Sequence, residues 1–249
     1  MELCVFCGER AGSREHVIAN WLDGPLNASH PVGTGMLRIG LTHRFTPAPG
    51  SAEAPREWNP RGPDLVTTNV CDGCNTGWLA SLENLVKPLL TPLVLGHSSA
   101  MGSEDQQVLA MWCYKTTLLM QLVRGSGHER LIPLERYCEL YKSRRPPSDT
   151  RIWLGTVNLG GNILHDVATE VQMTTLRSSM PGYLALLTLG RVLVLCGGRC
   201  READEPMRVE TRSIGKTLVA LWPASIRALQ WPPPEPIVAL DFASLTGLI

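Results

Sequence analysis

The stretch Cys71-Asp72-Gly73-Cys74-Asn75-Thr76-Gly77-Trp78 decides the fold, because it complements a second motif, Cys4-Val5-Phe6-Cys7, near the N-terminus. Each motif offers two thiolates to one ion, and four thiolates satisfy the tetrahedral shell that zinc prefers. Gly8 and Gly73 are typical of the tight turns in such motifs. The pattern predicts a structural zinc site that closes a long loop and contributes to folding. Its ligands are Cys4, Cys7, Cys71 and Cys74.

The other four of the 8 cysteines are scattered. Cys113 and Cys138 fall in helical patterns, where a free cysteine behaves as a small apolar residue, so we expect both in the core. Cys196 and Cys200 are separated by three residues but have no further ligands nearby, so no second metal site is predicted.

The composition limits the classes of function. The 249 residues carry 23 Lys plus Arg and 23 Asp plus Glu, so a protein that coats nucleic acid non-specifically is excluded and any positive surface must be local. No apolar run approaches the roughly 20 residues of a membrane span. The N-terminus lacks the basic flank and apolar run of a signal peptide, so we expect a cytoplasmic protein without membrane association.

The first third predicts a module over residues 1–95, with a loop-rich insertion over 24–62 that contains strand-like residues 36–41. A helix is predicted from Gly77 to Leu95, and Pro88 and Pro92 are expected to limit its length. Its apolar residues recur every three or four positions. They are Trp78, Leu82, Leu85, Val86, Leu89 and Leu90.

Residues 96–249 predict a second region, with helices within 103–142 and strands within 151–213. Ser103 and Gln106 have the spacing of a capping box, and a further helix is expected over 133–141. The strand candidates are 151–159, 163–176, 183–196 and 206–212, and residues 158–162 favour a hairpin turn. The fold class is therefore α+β, with an N-terminal zinc module followed by helices and a mostly antiparallel β region.

Three polar residues flank the cysteine motifs. Glu15 and His16 follow the first motif, and Asn75 directly follows Cys74. This layout resembles the HNH (ββα-metal) endonucleases, in particular their treble-clef subset with four zinc cysteines, which includes the endonuclease VII branch. The matching segments are residues 15–22 and 71–83, and the resemblance covers residues 1–90. Here Glu15 replaces the family's common Asp, and Ala19 stands where the family often has Pro.

The resemblance implies a ββα-metal fold in which zinc is structural and a second ion, Mg²⁺ or Mn²⁺, is catalytic. It implies His16 as the general base and Glu15 and Asn75 as ligands of the catalytic ion. Asn69 is the first choice for the residue that orients His16, and Thr67 and Thr68 remain alternatives. Asn75 also suits a helix N-cap, a role compatible with ligation.

Several residues near the motifs have structural alternatives. Trp21 and Trp78 are expected to be core anchors. Glu83 fits a helix surface, a buried ion pair or a support for a metal ligand. Lys142, Arg144 and Arg145 form a small basic cluster that, together with Arg14, we assign to phosphate contacts, although such runs are more often solvated loops.

The predicted function is a metal-dependent endonuclease acting on DNA. The alternative is a catalytically silent, zinc-stabilised subunit that binds nucleic acid, a protein partner or a second copy of itself. A third hypothesis makes the C-terminal region a sensor that regulates the nuclease, as in phage defence, and it rests on fold-level association alone.

Overall fold

The structure, a computed structural model, describes residues 2–29, 41–45, 56–58, 65–122, 132–157, 169–176, 182–199 and 216–237. It is a mixed α/β arrangement in which almost every strand pair is antiparallel. The predicted strand over 206–212, the turn over 158–162, residues 36–40 and Cys200 lie outside the described residues.

The strands, in chain order, are β1 Ser13–His16, β2 Leu41–Phe45, β3 Arg56–Trp58, β4 Val66–Val70, β5 Ser99–Met101, β6 Arg151–Thr156, β7 Thr169–Leu176, β8 Gly182–Leu189, β9 Val192–Arg199, β10 Leu218–Trp222 and β11 Leu229–Trp231. The helices are α1 Asp23–Ala28, α2 Asp72–Cys74, α3 Ala80–Val94, α4 Ser103–Leu122 and α5 Glu135–Ser143. A 3₁₀ turn spans Asn20–Leu22 and a π-helical turn spans Asn75–Leu79.

β1 and β4 form an antiparallel pair, and the chain leaves β4 directly into the second cysteine motif and α3. A seven-stranded sheet has the order β10-β6-β9-β8-β7-β2-β3, in which only β2 and β7 run parallel. β5 and β11 form a third, two-stranded sheet. The predicted insertion over 24–62 therefore supplies β2 and β3 to the sheet formed by the later part of the chain.

α4 connects the two regions. It packs against α3 and α5, and also against β6, β9 and β10 of the large sheet. One hydrophobic cluster extends from Phe6 through Leu90 and Trp112 to Val194. The residues before and after position 95 thus share a core, and the domain boundary drawn there from the sequence remains a prediction.

The helix after the second motif ends within one residue of the predicted Leu95, but it begins at Ala80 and its prolines do not limit its length. α3 continues through Pro88 and Pro92 to Val94. Pro88 removes the N–H that would bond the Asn84 carbonyl, but both residues are exposed, so water can satisfy that carbonyl. The apolar face is also narrower than predicted, since Leu85 is 59% exposed.

Three further expectations are corrected. The predicted capping box does not form: Asp105, not Gln106, accepts the reciprocal bond, from the Gly102 backbone N–H at 3.2 Å. Gln106 is buried instead. The strand predicted over 183–196 is a hairpin of β8 and β9, turned at Gly190, whose φ of +55° suits glycine. The third predicted helix is shifted to Glu135–Ser143.

Within the described part of the chain, no helix combines the length and apolar character that crossing a membrane would need.

Candidate functional site

The four predicted zinc ligands converge. The Sγ atoms of Cys4, Cys7, Cys71 and Cys74 all lie within 4.8 Å of one another, and those of Cys7 and Cys71 are 3.5 Å apart. Zinc–sulfur bonds of about 2.3 Å in a tetrahedron require sulfur separations of about 3.8 Å, so the cluster fits zinc. In the described ranges this is the one group of three or more potential ligands with that geometry.

The two motifs build the cluster differently. In the first, Gly8 takes a left-handed φ of +83° and its N–H bonds the Cys4 carbonyl at 2.9 Å. The second is a helix start, in which the Cys71 sulfur accepts a hydrogen bond from the Cys74 N–H at 3.4 Å. Gly73 has no positive φ, so the left-handed turn is needed only at the first motif.

Backbone hydrogen bonds prepare one thiol for a metal. Burial acts most strongly on Cys4 and would raise its pKa, but N–H groups of Cys7, Cys71 and Phe6 together lower that pKa below its ordinary value. Burial raises the pKa of Cys74. Ion binding must therefore release protons, as thiolate sites generally do.

A cavity of about 300 Å³ opens beside α3 and contains three predicted site residues in its wall. Its lining residues are Glu15, His16, Ala19, Asn20, Trp21, Asn75, Leu79, Ala80, Glu83 and Asn84. β1 supplies Glu15 and His16, and the π-helical turn supplies Asn75. The resemblance predicted this grouping, and the antiparallel pairing of β1 with β4 is what brings β1 to the start of the helix.

Asn75 joins the helix start to β1. Its Nδ2 donates to the Ser13 Oγ at 2.7 Å and to the Arg14 carbonyl at 3.1 Å. A β-bulge between Ser13 and Glu15 leaves Arg14 outside the ladder, which explains why its carbonyl is available. Because a carbonyl only accepts, the amide orientation is fixed, and among the described residues Oδ1 has no hydrogen-bond partner.

Glu15 is the more buried carboxylate of the cavity wall. Its side chain is 8% exposed and its Oε1 lies 3.8 Å from Lys115 Nζ. Burial raises the pKa of Glu15 to about 7; the nearby Lys115 opposes this rise and the Glu83 charge adds to it.

Glu83 accepts hydrogen bonds from three side chains. Lys115 Nζ donates to its Oε1 at 2.7 Å, Trp112 Nε1 to its Oε1 at 2.8 Å and Trp21 Nε1 to its Oε2 at 2.8 Å. Although burial would raise its pKa, the Lys115 charge and these bonds lower it below the ordinary value. The sequence did not predict that Lys115 and Trp112 would bind Glu83. The feature that could have indicated it is a lysine three residues after a tryptophan within an apolar helix.

Other predicted residues lie elsewhere. Asn69 does not line the cavity; its amide accepts from Thr67 Oγ1 at 2.9 Å and donates to Glu2 at 3.3 Å. No described residue hydrogen-bonds the His16 side chain, so no orienting partner is assigned. Arg14, Lys142, Arg144 and Arg145 are exposed.

The Arg144 guanidinium stacks on two rings, those of Trp78 and Tyr141, each 4.4 Å from its centre.

Of the other cysteines, Cys113 and Cys196 are buried, whereas Cys138 is half-buried.

Comparisons of the chain with protein-family models, with curated proteins and with solved structures find no match. The site must therefore be interpreted from its own chemistry.

Proposed function

We propose that this protein is a metal-dependent endonuclease of the HNH type, which hydrolyses phosphodiester bonds in DNA from a treble-clef ββα module. The observation that supports it is the shared cavity wall: an imidazole, a carboxylate and a side-chain amide lie together, next to a cysteine cluster that fits zinc.

The oxygen donors of the wall suit a hard divalent cation. The Asn75 amide is fixed through its nitrogen and leaves Oδ1 free, and Glu15 offers a carboxylate. Mg²⁺ and Mn²⁺ prefer such ligands, completed by water and phosphate oxygens. When bound by Glu15 and Asn75, the ion would stabilise negative charge on the phosphate and on the leaving oxygen.

His16 is the proposed general base. It neighbours Glu15 in β1, and an imidazole is suited to accept a proton from water near neutral pH. The Glu15 carboxylate is unsuited to act as the base because it would be a ligand of the divalent ion. Zinc, bound by the four cysteines, would hold the first motif and β4 to the helix start and so keep His16 and Asn75 in one wall.

The test is cleavage of supercoiled plasmid by the zinc-loaded protein with Mg²⁺ or Mn²⁺. We expect nicking by the natural sequence and a loss of about 10²- to 10⁴-fold in His16→Ala, the usual contribution of a general base. His97→Ala, which changes an exposed histidine outside the cavity, is the matched control. Equal cutting by both variants would remove His16 from the mechanism.

The second candidate is a silent zinc-stabilised binding subunit. The equal numbers of acidic and basic residues favour it, because strong phosphate binding needs positive charge. A protein that binds DNA or another protein but never nicks plasmid with either cation would establish this alternative.

A further inference from the structure

We propose that Lys115 is a positioning residue that fixes the Glu15 carboxylate in the cavity wall, so that the site is completed by a helix beyond residue 95. This rests on the proposed function, since it concerns the binding of the divalent ion by Glu15. Lys115 lies in α4, and its side chain is 0% exposed.

Glu83 anchors Lys115, and three donors use most of its acceptor capacity. Trp21 binds one of its oxygens, and Trp112 and Lys115 bind the other. The indoles and the ammonium group hold this carboxylate from three directions, and charge-assisted bonds at 2.7 Å are strong. Nζ therefore has a fixed place.

From that position, Nζ attracts the Glu15 carboxylate without forming a hydrogen bond to it. The 3.8 Å between Nζ and Oε1 of Glu15 is an ion-pair distance but too long for a hydrogen bond. Lys115 and Glu83 neutralise each other, so once Glu15 is ionised the trio carries one negative charge, on Glu15 beside the cavity. Glu15 is thus held by charge while it remains available to a cation.

The decisive variant is charge-matched. In Glu83→Gln with Lys115→Met, measured at a pH where Glu15 is ionised in both proteins, the trio again carries one negative charge. The long-range attraction for a cation is then unchanged, and the support of Glu15 by Lys115 is lost. Replacing a buried ion pair by neutral side chains is often tolerated, so we expect this double variant to fold. Trp112→Phe is the control, because it removes one donor to Glu83 and keeps all three charges.

The experiment measures Mn²⁺ affinity of the zinc-loaded full chain by electron paramagnetic resonance without DNA, and then kcat and KM for nicking. We expect the double variant to bind Mn²⁺ about 10- to 100-fold more weakly, the usual effect of losing a support for a ligand. KM for DNA should hardly change, and Trp112→Phe should stay within about 2-fold of the natural sequence.

If the natural sequence binds Mn²⁺ and cuts, but the double variant binds it equally well, the positioning role is overturned and the proposed function stands. Equal weakening in Trp112→Phe would also overturn it, because general loosening of the core would then explain the loss. If the natural sequence neither binds Mn²⁺ nor cuts, the proposed function fails and the role of Lys115 fails with it.

Discussion

The rings of Phe6 and Trp78 meet edge to face, with centroids 5.0 Å apart and planes at 88°. Phe6 lies between the cysteines of the first motif, and Trp78 follows Cys74 by one helical turn. The contact therefore joins the two halves of the cysteine cluster through packing, independently of any metal.

This contact predicts an energetic coupling between the two motifs. Aromatic pairs contribute about 0.5–1.5 kcal/mol beyond the area they bury. We expect a double-mutant cycle of Phe6→Leu and Trp78→Leu, measured by urea unfolding of the zinc-loaded protein, to give a coupling in that range. Strictly additive losses would show that the rings pack independently.

Removing zinc should unfold the N-terminal part of the chain. Binding of structural zinc contributes on the order of 10 kcal/mol in small zinc domains. We expect one zinc per chain in the natural sequence and its loss in Cys74→Ser, together with loss of cooperative unfolding. Cys138→Ser, whose sulfur lies outside the cluster, should keep the metal. Full zinc content in Cys74→Ser would contradict the four-ligand site.

The stability of the protein without divalent cations should depend on pH through Glu15. Burial raises its pKa from 4.5 to about 7, so between these values the folded chain keeps a proton that the unfolded chain has released. The contribution of Glu15 to stability should therefore be most favourable below 4.5 and fall as the pH rises through about 7.

The measurement is the unfolding free energy of the natural sequence minus that of Glu15→Gln, followed across this interval with the zinc content checked at each pH. We expect the difference to fall by on the order of 2 kcal/mol. A difference that stays flat would mean that Glu15 is ionised throughout.

The basic cluster of Lys142, Arg144 and Arg145 should affect how the affinity for DNA depends on salt concentration. Each phosphate contact contributes about 0.9 to the slope of log affinity against log salt concentration. We expect Arg144→Gln and Arg145→Gln each to reduce the slope for DNA binding by about one contact, and Arg144→Gln also to lose about 0.5–1 kcal/mol of stacking on Trp78 and Tyr141. Arg227→Gln, at an exposed arginine outside the cluster, is the control. Unchanged slopes would show that the cluster makes no phosphate contacts and is only a solvated loop.

Gln106 should stabilise the junction of α4 with the C-terminal segment. Its Nε2 donates to the carbonyls of Met101 and Arg227 at 3.0 and 2.9 Å, and its Oε1 accepts from the Ser225 N–H at 2.8 Å. Gln106→Ala should cost about 1–3 kcal/mol in urea unfolding. Gln107→Ala, its neighbour in α4, should change stability by less than about 0.5 kcal/mol. Equal effects would contradict the bridging role.

Short motifs predicted part of the candidate site. The cysteine spacing indicated the sulfur cluster, and the resemblance to HNH endonucleases indicated that Glu15, His16 and Asn75 would lie together, as they do in the cavity wall. Local patterns failed where distant segments compete. Gln106 matched a capping box by spacing, but its buried bonds to residues 225–227 draw it inward and leave the cap to Asp105.

The sequence by itself determined the four candidate zinc ligands, because each C-x-x-C spacing lets two sulfurs reach one ion. It also determined that polar residues come after the two cysteine motifs along the chain. Only the tertiary structure decided that β2 and β3 join the later sheet and that Lys115 lies between Glu15 and Glu83. These contacts link residues far apart along the chain, and a lysine inside an apolar helix acquires its partners only when other elements, here β1 and α3, supply buried acceptors.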